Sequence, residues 1–142
     1  TEDIDMIIER IPQEKFREMH KDLTKAGFFC IQDDDAGELY EYLQDNTSIR
    51  YAKKEHALPD MEVKFAKDFL DRYQIQTRVK LPLTGLDLWF SSIEMNIAFK
   101  EEYLKSEKDL EDARHLRKVY KGQIDEGHIP YLKVLIRKWR LS

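Results

Sequence analysis

The chain opens on an alternation of polar and apolar residues. Asp3 and Asp5 fall on one side of an extended segment, Ile4 and Met6 on the other, and the run ends in Ile7 and Ile8. Side chains alternate across a strand, so this opening predicts a core strand with two carboxylates on one face. The rhythm then changes. Phe16, Met19, Leu23 and Ala26 recur at helical spacing between Pro12, suited to a first turn, and Gly27, suited to a helix end. A helix over 12–26, packed by one face on a sheet, is expected. Residues 28–32 read as a second strand. Asp35-Ala36-Gly37-Glu38 has the spacing of a capping box ahead of Leu39, Tyr40 and Leu43. A cap explains the run Asp33-Asp34-Asp35 more simply than a metal cluster does.

Residues 46–50 predict a turn feeding a strand, and 53–56 a polar link. Alternation returns before Phe65: Met61, Val63 and Phe65 face one way, Asp60, Glu62 and Lys64 the other. If this strand neighbours the first, a third carboxylate joins Asp3 and Asp5; a half-exposed strand of a mixed sheet explains the alternation equally well. A short helix near 66–72 then leads to strands over 76–81 and 86–90, around a turn at Pro82 and Gly85. Ser91 or Ser92 caps the next helix, whose stripe of Ile93, Ile97, Lys100 and Leu104 sets a lysine among apolar neighbours. Such a lysine either snorkels to water or meets a buried acidic or phosphate partner. Ser106 starts a further helix with Asp109, Asp112, Leu116 and Tyr120 on one stripe. A cap accounts for Asp109 but not for Asp112. Beyond Gly122 and Gly127, the last helix is expected to bury Ile129, Leu132, Ile136 and Leu141 and to point Lys133, Arg137, Lys138 and Arg140 outward. A basic helix of this kind suits nucleic acid, and cations near a helix C-terminus also stabilise it.

Composition narrows the classes. A chain of 142 residues fits one domain with a sizeable core. It holds no apolar run long enough for a bilayer and no secretory pattern, so a soluble, cytoplasmic protein is expected. Lys and Arg number 24 against 28 Asp and Glu, which argues against a surface devoted to coating nucleic acid. The single cysteine, Cys30, excludes an internal disulfide and, within Gly27-Phe28-Phe29-Cys30-Ile31, reads as a core thiol in a reducing compartment. Thr1 in place of Met, inside an expected strand, suggests part of a longer protein. His20, His56, His115 and His128 never take metal-ligand spacing, and no phosphate-binding glycine loop or nucleophile elbow occurs. The carboxylates remain. Two on one face suit a hard divalent cation such as Mg²⁺, while ordinary solvated acids are the plainer reading of an isolated D-x-D.

Four elements in order carry a resemblance over almost the whole chain: Thr1-Glu2-Asp3-Ile4-Asp5, the acidic strand near 60, Ser92-Ile93-Glu94-Met95-Asn96-Ile97-Ala98-Phe99-Lys100, and Lys108-Asp109-Leu110-Glu111-Asp112. Together they resemble the nucleotidyltransferase superfamily with the polymerase-β-type fold, in particular the abortive-infection toxin branch and its uncharacterised relatives. The resemblance implies an α+β domain: a mixed, mainly antiparallel sheet flanked by helices over 1–90, with C-terminal helices over 91–142 packed on that core. It implies Asp3 and Asp5 as the metal-binding and catalytic pair, with Asp60 or Glu62 as the third carboxylate. Lys100, Lys108, Asp109 and Asp112 become helical supports or participants near the nucleotide. Two departures stand out. The family's arginine two residues before the K-D pair is Ser106 here, beside Lys105. The glycine loop that holds the triphosphate lies, in the family, upstream of the first acidic strand, where this sequence has not yet begun.

The implied chemistry is two Mg²⁺ (or Mn²⁺) ions bridging the carboxylates, an activated hydroxyl attacking the α-phosphorus of a nucleoside triphosphate, and departure of pyrophosphate. The acceptor is left open among RNA, protein and a small molecule, and the basic last helix favours a polyanion. A relative that binds nucleotide or a protein partner without turnover, and a plain interaction module, are the alternatives. Mg²⁺-dependent nucleotide binding separates the enzyme and the binding relative from the module, and product formation separates the enzyme from the relative.

Overall fold

The computed structural model describes residues 3–56, 59–81 and 85–142. The chain gathers into two compact units, Thr1–Lys67 and Asp68–Ser142.

The first unit is built on a four-stranded mixed sheet. Its strands are β1 (Asp3–Ile8), β2 (Phe28–Cys30), β3 (Ile49–Lys53) and β4 (Asp60–Phe65), in the order β1-β4-β3-β2. β1 runs parallel to β4, while β3 is antiparallel to both β4 and β2. Helices α1 (Gln13–Lys25) and α2 (Ala36–Gln44) supply Phe16, Leu39 and Leu43 to a core with Cys30, Ile49, Tyr51, Val63 and Phe65. Each fully buried large side chain contributes about 1.5–3 kcal/mol. The alternation of β4 is thus put to use: Val63 and Phe65 enter the core, and the acids of that strand take the other face. Gly27 ends α1's turn at φ +96, a conformation that costs a residue with Cβ more than glycine. Asp35 caps α2 by accepting the Glu38 backbone N–H at 3.2 Å, so the acidic run works as a cap.

The second unit is helical. It comprises α3 (Phe69–Gln76), α4 (Ile93–Phe99), α5 (Glu107–Val119) and α6 (Ile129–Ile136). Leu70, Met95, Ile97, Ala98, Ala113, Ile129, Leu132, Leu135 and Ile136 form its core. Ser92 caps α4 through the Met95 N–H, and Ser106 with Asp109 forms a capping box on α5. No helix among the described residues is long and apolar enough to cross a membrane.

Several expectations give way for identifiable reasons. β1 is an edge strand rather than a core strand, and Ile4 and Met6 are 49% and 40% exposed, because the core of this unit gathers on the other three strands. Asp68 caps α3 by accepting the Asp71 N–H, which starts that helix later than expected and carries it through Gln76. The expected strand pair that follows shrinks to one bridge, Val79 with Phe90. Leu86, Leu88 and Trp89 are exposed, so no buried face holds a longer ladder together. Pro82, expected in the turn, lies outside the described residues; Gly85 has φ +67.

Helical phase explains two further departures. A π-helical turn over Lys100–Leu104, closed by the Lys105 N–H on the Lys100 carbonyl, follows α4. The wider turn rotates Leu104 off the stripe of Ile93 and Ile97, leaving it 52% exposed. At the C-terminus Arg140, four residues after Ile136, keeps the buried side, while Leu141, one residue further, is exposed. Arg140 therefore does not point outward. Its guanidinium binds Asp68 at 2.6 Å and the fully buried Asp71 at 2.7 Å. Lys133 pairs with Glu101 at 2.9 Å and Arg137 with Glu102 at 2.8 Å. Most of the basic stripe is spent on carboxylates of its own unit.

Candidate functional site

The face of the sheet turned away from α1 and α2 gathers the charge. Parallel pairing sets Asp3 opposite Asp60 and Asp5 opposite Glu62, and antiparallel pairing sets Arg50 opposite Glu62 on the far side. A single row of the sheet thus reads Asp5, Glu62, Arg50. Neighbouring strands lie about 4.8 Å apart, so side chains sharing a row and a face must interact. Arg50 Nη1 reaches Asp3 Oδ2 and its Nη2 reaches Glu62 Oε2, both at 3.5 Å. The Ser48 hydroxyl donates to Glu62 Oε1 at 2.8 Å. Asp60 meets Asp3 in register and faces the same way, but Glu62 is the acid that acts on Asp5.

Asp5 is the acid of this group whose carboxyl is shifted upward. Burial, then the charges of Glu62 and Asp3, push its carboxyl above the ordinary aspartate value against a smaller opposing pull from Lys64, and a hydrogen bond with Glu62 adds to the rise. Like charges this close disfavour simultaneous ionisation. Arg50 offsets part of the charge at Asp3 and Glu62 but does not relieve Asp5.

Arg50 and Ser48 were not legible as site residues. The turn expected over 46–50 puts Arg50 before the strand, whereas Arg50 lies within β3. The buried pair Ile49 and Tyr51 on either side is the signal that points Arg50 to the acidic face. Gln32 fixes the local backbone: its side-chain carbonyl accepts the Arg50 N–H at 2.9 Å and its amide donates to the Ser48 carbonyl at 3.3 Å. The Arg50 carbonyl accepts the Ile31 N–H at 2.9 Å. Only the side chain of Arg50 is left to move.

The other expected residues group within the helical unit. Lys100 Nζ lies 3.5 Å from Asp112 and 3.9 Å from Asp109, so the lysine on the apolar stripe has acidic partners rather than a route to water alone. Asp109 is held below the usual aspartate range, chiefly because the Ser106 hydroxyl and then its backbone donate to it, with Lys100 and Lys108 adding charge. Asp112, which no cap explained, answers Lys100. Lys108 is exposed on α5. Glu101 shows the same compensation, its carboxyl held low by Arg117 and then Lys133.

As the side chains stand, no group of three His, Cys, Asp or Glu among the described residues is arranged to hold a metal ion. The donor chemistry nevertheless suits a hard cation: Asp3, Asp5, Asp60 and Glu62 are four carboxylates in two adjacent strands, and burial with neighbouring charge raises the Asp5 carboxyl. No family model matches this chain, and no curated protein matches it.

Proposed function

We propose that the protein is a metal-dependent nucleotidyltransferase of the polymerase-β-type fold, moving a nucleoside monophosphate from a nucleoside triphosphate to a hydroxyl acceptor. One observation carries this reading: the parallel β1–β4 register stands Asp5 beside Glu62, with Asp3 in the same charge group. Its support from sequence is the ordered set of acidic and helical motifs, and the α+β architecture with a mixed sheet is compatible with it.

Asp3, Asp5 and Glu62 are the proposed metal-holding carboxylates, with Glu62 preferred to Asp60 because it interacts with Asp5. A divalent cation there supplies the positive charge that activates an acceptor hydroxyl and neutralises a triphosphate. The chain's own contribution is orientation. Ser48 holds one Glu62 oxygen, and the β-ladder holds Asp3 and Asp5 on one face at fixed spacing.

The test is product formation from labelled nucleoside triphosphates with Mg²⁺ or Mn²⁺, offered RNA, protein and small-molecule acceptors in turn. Metal-dependent transfer that Asp5→Asn abolishes supports the enzyme. Metal-dependent nucleotide binding without transfer to any acceptor moves the reading to a relative that binds without turnover.

A further inference from the structure

We propose that Arg50 is a built-in counter-cation of the carboxylate group, which neutralises Asp3 and Glu62 in the metal-free protein and must be displaced before a divalent cation is held there. The inference rests on the metal reading above and adds to it a competitor supplied by the chain itself.

The geometry is that of a replaceable partner. Both contacts are 3.5 Å long, well beyond the roughly 2.7–2.9 Å of a strong charge-assisted hydrogen bond. The guanidinium reaches one oxygen of each acid, without the bidentate pairing that makes arginine a firm clamp. All three side chains stay accessible, 42% for Arg50, 37% for Asp3 and 29% for Glu62. Water screens such pairs, and exchanging them costs little. Arg140 in the other unit is the opposite case: 2.6 and 2.7 Å contacts to acids of which one is fully buried. That arginine is structural.

The Arg50 backbone is pinned by Gln32 and Ile31, so displacement is a swing of the side chain about a fixed strand. Arg50 also spans two of the acids proposed to hold the metal. A dication held by Asp3 and Glu62 would compete with the guanidinium for the same oxygens, because two cations there repel. Removing the guanidinium therefore frees two ligands and removes a competitor together.

The experiment is a calorimetric titration with MnCl₂ and MgCl₂ alone, without nucleotide, on the full chain. Wild type is compared with Arg50→Ala and with Arg50→Gln, which keeps most of the side chain's bulk, after circular dichroism shows native helix and strand content for each. Both variants should bind the metal about three- to ten-fold more tightly than wild type, the range set by exposed ion pairs. Asp5→Asn placed on Arg50→Ala should lose the gain. Equal or weaker binding by both variants overturns the competitor role and leaves the metal reading standing. Absence of binding in wild type and variants alike overturns the metal reading, and the competitor falls with it.

Discussion

Asp5 on the sheet and the ion-paired acids of the helical unit are held in opposite ways. In the helical unit Glu101 has Arg117 and Lys133, Glu102 has Arg137, Asp109 has Ser106 and Lys100, and Asp71 has Arg140. The carboxyls of Glu101, Glu102 and Asp109 are all held below their ordinary values by those partners. On the sheet, Asp3, Asp5, Asp60 and Glu62 crowd one face with Arg50 and Lys64, and Asp5 is pushed upward. Acids that serve folding are compensated; acids kept together at an electrostatic cost invite an explanation outside folding. That contrast separates an expected site from an ion-pair lattice.

The comparison breaks most sharply at activity. Asp3→Asn combined with Asp5→Asn should abolish metal-dependent transfer while circular dichroism and the unfolding midpoint stay close to wild type, because the change removes repulsion. A variant that keeps full activity removes these acids from the chemistry.

Next in size is Arg140→Ala. It removes the guanidinium from the fully buried Asp71, and the loss should exceed the roughly 1 kcal/mol ceiling of an exposed pair. Urea unfolding followed on the second unit's helices should show that loss, and a change under about 1 kcal/mol would mean the pair counts no more than an exposed one. Ser106→Ala removes half of the α5 capping box and should cost about 1 kcal/mol, read in the same experiment.

The smallest effect has a sign that differs between the units. Asp5 has a raised folded pKa, so the folded state binds its proton more readily than the unfolded chain. Its unfavourable contribution grows as pH rises from the ordinary carboxylate range through the raised value. Asp5→Asn should therefore raise stability slightly at neutral pH, by a few tenths of a kcal/mol after solvent screening, and flatten the decline. Glu101 runs the other way. Its folded pKa is lowered, so its stabilisation is present above the unfolded value and fades as pH falls through the folded one, and Glu101→Gln should blunt acid destabilisation. Unfolding midpoints across pH 3–8, about the carboxylate range, check both signs.

What was legible in sequence was local. The alternation of Met61, Val63 and Phe65 against Asp60, Glu62 and Lys64 is a period-2 pattern, and the strand followed from it. The caps at Asp35 and Ser106 were equally open to reading, since a cap spans three residues, and the α4 cap was narrowed to Ser91 or Ser92, of which Ser92 serves. What failed was long-range or out of phase. Arg140 meets Asp68 and Asp71 across most of the second unit, a partnership no helical period encodes. Leu104 follows a π turn that an assumed 3.6-residue rhythm passes over. Arg50 needed the strand order before its row partners were visible, and β1's place at the sheet edge needed it too.

The most direct test is a calorimetric titration with a non-hydrolysable ATP analogue, with and without Mg²⁺, on wild type and on the Asp3→Asn, Asp5→Asn pair. A metal-dependent heat of binding that the double variant loses is the predicted result. Binding indifferent to Mg²⁺ and to both aspartates, or no binding with this or any other nucleoside triphosphate, would contradict a metal-nucleotide site on this sheet.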